Sequence, residues 1–151
     1  MTLYATYGSS LPSVSIYAAA VKQVLTNIIN NAIEAMPDGG ELRVRTYSVS
    51  AHNVEYLSRL RRRTGTRADE YVVVSVRDSG CGIPDSALPR IFEYAFTTKG
   101  ARDGHSGGSG LGLTHSKTLM ELHNGDIEVN NNEGGKGVTA RITFPSLRRP
   151  A

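Results

Sequence analysis

Between Ser15 and Met36, the residues Val21, Val24, Leu25, Ile28, Ile29, Ala32 and Ile33 recur at three- and four-residue intervals, the spacing of one apolar helix face. Pro37-Asp38-Gly39-Gly40 stops that helix. The period then falls to two. Leu42, Val44 and Thr46 alternate with Arg43, Arg45 and Tyr47, and Val72, Val74 and Val76 repeat the pattern ahead of Asp78, which predicts two half-buried strands. Residues 51 to 69 separate them and read as a hairpin insertion with some helix. Asp85 to Phe92 suit a short helix, and Leu111 to His123 a longer one closed by Asn124-Gly125. Ile127 and Val129, then Val138, Ala140, Ile142 and Phe144, alternate on either side of a turn at Glu133 to Gly137, the pattern of a hairpin.

Strands with one apolar face each, interspersed with amphipathic helices, predict an α+β two-layer sandwich. The sheet is expected to be mixed and mainly antiparallel, with the helices on one face and residues 1 to 14 offering a further edge strand. A length of 151 residues suits one domain, 1–151, with residues 1–10 and 146–151 peripheral to it. No apolar run approaches the roughly 18 residues that span a bilayer, so no direct membrane insertion is expected, and the residues before Leu3 do not resemble a signal peptide. Cys81 is the one cysteine, and the four histidines are scattered, so neither an internal disulfide nor a zinc site follows. A cytoplasmic setting is the expectation.

The net charge of +3 is local: without Arg59, Arg61, Arg62, Arg63 and Arg67 the chain would carry −2. A solvated face accounts for that cluster, and with no nucleic-acid-binding motif beside it no nucleic-acid partner is expected.

Asn27, Asn30 and Asn31 fall inside the first helix, where asparagine competes for backbone hydrogen bonds. At about 100° per residue, Asn27 and Asn31 lie about 40° apart at one edge of the apolar stripe, and Asn30 turns further toward solvent. A carboxamide oxygen is a neutral hard ligand suited to Mg²⁺, which takes further oxygens from phosphates and water. Taken alone, these residues are more readily explained as an exposed polar helix face, so the other segments have to decide. Asp78-Ser79-Gly80-Cys81-Gly82-Ile83-Pro84 leaves a strand end, and Gly80 and Gly82 let the backbone turn beside a flat ligand. An ionised Asp78 only accepts hydrogen bonds, which matches the exocyclic amine of adenine and mismatches the carbonyl of guanine. Taken alone, the segment is as readily a simple loop turn. Gly108-Ser109-Gly110-Leu111-Gly112-Leu113 opens the last helix, where free N–H groups favour phosphate. Its glycines do not have dinucleotide-fingerprint spacing, and a glycine-rich turn alone says little. Its place after a glycine-rich segment carrying Lys99 and Arg102 suits a lid that closes over a triphosphate and neutralises it.

In this order the segments resemble the histidine-kinase branch of the superfamily that also holds DNA gyrase, the chaperone Hsp90 and the repair ATPase MutL. Asn27 to Ile33 is similar to the N box, Asp78 to Pro84 to the first glycine box, Ile91 to Lys99 to the F box, and Gly108 to Leu113 to the second glycine box. The likeness extends through Gly135-Lys136-Gly137-Val138-Thr139 and runs from about Leu11 to Pro145. It implies a Bergerat-type ATP-binding fold, ATP with Mg²⁺, and a protein histidine kinase catalytic domain whose acceptor histidine lies elsewhere. The implied metal ligand is Asn31. The implied catalytic set is Asn27, Asn31 and Lys99. The implied ATP-binding residues are these three with Asp78, Gly80, Gly82 and Ile83 at the base, Phe92, Thr97 and Thr98 from the F box, and Gly108, Ser109, Gly110, Leu111, Gly112 and Leu113 around the phosphates. The implied partners are a dimerisation and histidine-acceptor domain and a response regulator.

Two positions depart from or sharpen the likeness. The family usually has Pro-Phe where this chain has Tyr94-Ala95, which bears on lid packing. Where the ATPases, the mitochondrial kinases and the anti-sigma serine kinases have a glutamate base, this chain has Asn27, which is no base at neutral pH. That favours transfer to a nucleophile with its own lone pair, such as histidine, over an ATPase, a serine-directed kinase or a non-catalytic nucleotide-binding module. His52, His105, His115 and His123 lack the acceptor pattern; His115 and His123 read as surface or core-edge residues, His105 as a lid residue for which phosphate contact is the less favoured alternative, and Cys81 as a small filler.

Overall fold

A computed structural model describes residues 1–50, 65, 68–97 and 110–147. Five strands form one sheet: β1 (Thr2–Thr6), β2 (Glu41–Ser50), β3 (Glu70–Asp78), β4 (Asp126–Asn131) and β5 (Val138–Pro145), in the order β1-β2-β3-β5-β4. β1 runs parallel to β2 and the other pairings are antiparallel. The two α-helices are α1 (Ala18–Glu34) and α2 (Gly112–Leu122). This is the mixed, mainly antiparallel two-layer architecture that the periodicity predicts, with residues 2–6 as the extra edge strand.

Register puts the even-numbered residues of β2, β3 and β5 on the helix-covered face: Leu42 lies opposite Asp78, Val44 opposite Val76, and Val74 opposite Ile142. That face buries Leu42, Val76, Ile127, Ala140, Ile142 and Phe144 against Val24, Ile28 and Ala32 of α1 and Met120 of α2. Each of the larger of these side chains contributes about 1.5–3 kcal/mol by leaving water, so the core fixes which edges of α1 and α2 stay accessible. Asp78 shares the parity of Val76 and therefore emerges on the helix side, at the rim of the core.

Three expectations are corrected. α1 begins at Ala18, not Ser15, because the preceding residues are engaged elsewhere: Val14 bridges Ser146, and the Tyr17 N–H donates to His123 Nε2 at 3.0 Å. Ile33 is exposed, although the other apolar residues of that stripe are buried or half-buried. Asp85 to Phe92 does not form an α-helix; it makes turns with a 3-10 segment at Leu88–Arg90, since Pro89 supplies no N–H and Pro84 O accepts from both Ala87 and Leu88. The helix stop after α2 is as read: Asn124 adopts φ 54° and the Gly125 N–H returns to Met120 O at 2.9 Å. The proposed hairpin insertion lies largely outside the described residues. Among the described residues, no helix is long and apolar enough to cross a membrane.

Candidate functional site

β3 delivers Asp78 to the rim in a fixed pose. Its Oδ1 accepts from the Gly80 N–H at 2.8 Å and the Val138 N–H at 3.2 Å, and its carbonyl accepts from Asn132 Nδ2 at 2.8 Å. Both amide bonds to the carboxylate fall on Oδ1; Oδ2 carries neither. The side chain is buried, and that burial raises the carboxyl above its ordinary range, against the opposing pull of the Gly80 and Val138 amides. A buried carboxylate held at a strand end by main-chain donors is a candidate recognition group.

The loop that follows is shaped by close contacts. A Cβ on Gly80 would lie 2.7 Å from Ala35 O and 2.8 Å from Ala35 Cβ, and the Cys81 N–H donates to the same carbonyl at 3.2 Å. Gly80 thus lets the loop rest on the C-terminal end of α1. Gly137 adopts φ 78°, and a Cβ there would collide with the Asp78 carbonyl, so the β4–β5 turn closes over Asp78 only because position 137 has no side chain. Cys81 is exposed, which corrects its reading as a filler: its backbone N–H reaches α1, while its thiol meets only the adjacent Gly82 carbonyl.

About two turns back from the end of α1, near the middle of the helix, Asn27 meets the start of α2. Asn27 Nδ2 donates to the Ser116 hydroxyl at 2.9 Å, and a Cβ on Gly112 would strike the Asn27 carboxamide. Asn27 and Asn31 are half-buried on one edge of α1, and Asn30 is exposed, as the angular spacing predicts. A crevice of about 170 Å³ lies here, bordered by Gln23, Thr26, Asn27, Gly112, His115 and Ser116. α2 begins with no side-chain cap and no acidic residue in its first turn, which leaves its N–H groups and dipole suited to an anion. A larger concavity, about 770 Å³, lies on the opposite sheet face beside Arg45, Arg77 and Arg141 and reaches this region at Asp78 and Asn132.

The F box leans on α2. Thr114 Oγ1 donates to the carbonyls of Phe92 and Glu93 at 3.2 and 3.0 Å, and Lys117 Nζ lies 4.9 Å from the Phe92 ring centroid. Gly110, at φ 66°, packs so closely that a Cβ would approach the Phe96 carbonyl to 2.7 Å. At the departure from Pro-Phe, Tyr94 is exposed and Ala95 holds φ 57°, in the left-handed region. Ile83 and Phe92 are half-buried, Thr97 and Leu111 exposed, and Leu113 half-buried against the core. Thr98, Lys99, Gly108 and Ser109 lie outside the described residues, as do His52, Arg102 and His105. His115 is exposed; His123 has Nδ1 2.7 Å from Leu119 O and accepts from Tyr17, a pattern that the neutral Nδ1–H tautomer satisfies.

Sequence reasoning missed the residues that hold these groups in place: Ser116, Thr114, Asn131, Asn132 and Thr139. The run Asn130-Asn131-Asn132 at a strand end, where asparagine is disfavoured, was the available signal.

Residues 17–148 match the family described as histidine kinase-, DNA gyrase B- and HSP90-like ATPase. The sensor kinase CckA of Brucella abortus strain 2308 is 37% identical over 93% of this chain, and the sensor histidine kinase WalK of Bacillus subtilis strain 168 is 34% identical over 83%. The chain spans only 14% and 18% of those two proteins. Among solved structures, the nucleotide-free catalytic domain of histidine kinase ThkA aligns over 96% of the chain and 79% of its own, with TM-score 0.66 and 29% identity. The mycobacterial sensor histidine kinase MprB shares the fold at TM-score 0.70 and 22% identity, over 99% of this chain and 83% of that one. The rim of Asp78, the asparagine edge of α1 and the uncapped start of α2 thus lie in a chain that belongs to the histidine kinase-, DNA gyrase B- and HSP90-like ATPase family.

Proposed function

We propose that this domain binds Mg-ATP along the accessible edge of α1 and transfers its γ-phosphoryl group to a histidine on a separate dimerisation and acceptor domain. A response regulator is the next partner in that reading, and the cytoplasm is its setting. One spacing carries the proposal. Asn27 meets the start of α2, and Ala35, eight positions on, meets the glycine loop, which separates the two contacts by about 12 Å along the helix. A nucleoside triphosphate laid along that edge has its base by Asp78 and its phosphates by α2, with Asn31 between them.

In this reading Asp78 accepts the exocyclic amine of adenine through Oδ2, and Gly80 and Gly82 keep the backbone close to the ring. Gly110, Leu111, Gly112 and Leu113 present the α2 N-terminus to phosphate, together with Gly108 and Ser109. Lys99 is given the task of neutralising the triphosphate, with Ile83, Phe92, Thr97 and Thr98 shaping the surrounding pocket. The donor set fits a hard divalent cation: Asn31, with Asn27 beside it, offers neutral carboxamide oxygens, and Mg²⁺ takes the rest of its roughly six ligands from phosphate and water. When bound, that ion neutralises charge across the phosphates. Asn27 cannot remove a proton at neutral pH, so the acceptor must bring its own lone pair, as an imidazole does.

The test is to incubate the domain with a matching acceptor-helix fragment and γ-labelled ATP. Acid-labile label on a histidine of the fragment is expected. Acid-stable phosphoserine would assign the chain to the serine-directed branch, rapid phosphate release without any acceptor would make it an ATPase, and nucleotide binding with no transfer at all would make it a non-catalytic module.

A further inference from the structure

Asn131, the last residue of β4, gives both ends of its carboxamide to the backbone of one residue, Ile83. The Ile83 N–H donates to Asn131 Oδ1 at 2.9 Å, and Asn131 Nδ2 donates to the Ile83 carbonyl at 2.6 Å, with Asp85 Oδ1 a further 3.4 Å contact. This is the paired exchange by which a neighbouring antiparallel strand holds a residue, yet Ile83 belongs to no strand. Gly82, just before it, has φ 75°, and a Cβ there would sit 3.3 Å from Asn131 Oδ1. The clamp therefore closes on the far end of the glycine loop.

The near end is held by the next residue in sequence. Asn132 Nδ2 donates to the carbonyls of Asp78 and Lys136 at 2.8 and 2.9 Å, and its Oδ1 accepts from Thr139 at 2.6 Å. Two consecutive asparagines at the end of β4 thus grip residues 78 and 83, the two ends of a loop whose interior contains two glycines and the exposed Ser79 and Cys81.

We infer that Asn131 is a positioning residue for base recognition: it acts through Ile83 and Gly82, holding the loop in its binding shape before the nucleotide arrives. The inference rests on the Mg-ATP reading above. A loop with two glycines has much conformational freedom to lose, and a clamp that removes it beforehand raises affinity without touching the ligand. Strand stability does not call for asparagine at this position, since β-branched residues suit a strand better.

Calorimetric titrations of the full chain with ADP, Mg-bound adenylyl imidodiphosphate and GTP, well below the melting temperature, test this. Asn131→Ala is expected to raise the dissociation constants of both adenine nucleotides about tenfold, the scale of one or two lost hydrogen bonds, and to narrow the preference for adenine over guanine. The isosteric Asn131→Asp sets a carboxylate oxygen against the Ile83 carbonyl and the Asp85 carboxylate in place of the amide donor; it is expected to lose at least as much affinity as Ala, and it carries the test if Ala does not fold. Asn130→Ala, on the exposed neighbour, should stay within about twofold. Amide exchange at Gly82 and Ile83 should accelerate in Asn131→Ala without any ligand. Adenine affinity and base preference unchanged in Asn131→Ala would overturn the inference even if exchange there speeds up. Failure of the unsubstituted chain to bind any adenine nucleotide would instead sink the Mg-ATP reading on which it stands.

Discussion

Asn27 and Ser116 are joined across the α1–α2 contact by a 2.9 Å hydrogen bond from the carboxamide nitrogen to a hydroxyl that is only 1% exposed. The bond fixes the rotamer of Asn27 and turns its oxygen toward the opening helix of the second glycine box. Ser116→Ala removes the anchor and leaves a partly buried amide with one partner fewer, so stability should fall by about 1 kcal/mol in denaturant titration. Affinity for Mg-ATP should fall about three- to tenfold, the cost of immobilising one freed side chain, whereas metal-free ADP should bind almost as before. Equal losses for the two ligands would contradict a role for Asn27 at the phosphate end.

Gly112 separates helix stability from function. A Cβ there would meet the Asn27 carboxamide, with 2.9 Å to Cγ, and would push the side chain off Ser116. Alanine is otherwise the better helix former by about 1 kcal/mol. The helix gain roughly cancels the lost Asn27–Ser116 bond, so Gly112→Ala is expected to leave the melting temperature nearly unchanged while Mg-ATP affinity drops about tenfold or more, measured by scanning calorimetry and titration on the same sample.

Asp78 predicts a trade-off with a definite pH dependence. Burial raises its carboxyl above the ordinary range, so the native state keeps a proton that the unfolded chain has already released. The sign follows: this group favours the native state most below the ordinary carboxylate range, and that contribution is lost as pH rises through the native value. Asp78→Asn keeps an acceptor for Gly80 and Val138 without the buried charge. Its melting temperature at neutral pH should exceed the parent's, with the gap closing on acidification, while adenine nucleotide affinity falls about a hundredfold or more because an amide donor then faces an amine donor.

Ala95 holds φ 57° in the F box, a conformation that costs a side-chain-bearing residue about 1–2 kcal/mol and glycine almost nothing. Glycine's larger unfolded-state entropy offsets about half of the gain. Ala95→Gly should raise the melting temperature by about 2–4 °C in scanning calorimetry; a decrease would mean that the surrounding turn does not enforce the left-handed geometry.

Strands β2 to β5 and both α-helices were legible because a face or stripe of each is buried in one core, and burial writes a period into the sequence; β1, exposed along its whole length, offered only a weak signal. The asparagine edge and Asp78 were legible for the opposite reason: asparagine within a helix and a carboxylate at the end of an apolar strand are locally unfavourable choices. The supporting residues were not. Ser116 meets a partner 89 positions away, Asn131 one 48 away and Asn132 one 54 away, and such pairings depend on tertiary register rather than local pattern. The start of α1 was misplaced for the same reason, since Tyr17 is drawn off by His123, 106 positions on.

The central claim is that Asn27, Asn31 and Asp78 serve one Mg-nucleotide site. Titrating adenylyl imidodiphosphate with magnesium into the folded domain, and into Asp78→Ala and Asn31→Asp, tests it most directly. One-site binding at equal stoichiometry is predicted for the parent, with binding abolished in Asp78→Ala and magnesium dependence altered in Asn31→Asp while metal-free ADP still binds. No heat from the parent, or full binding by Asp78→Ala, would contradict the account.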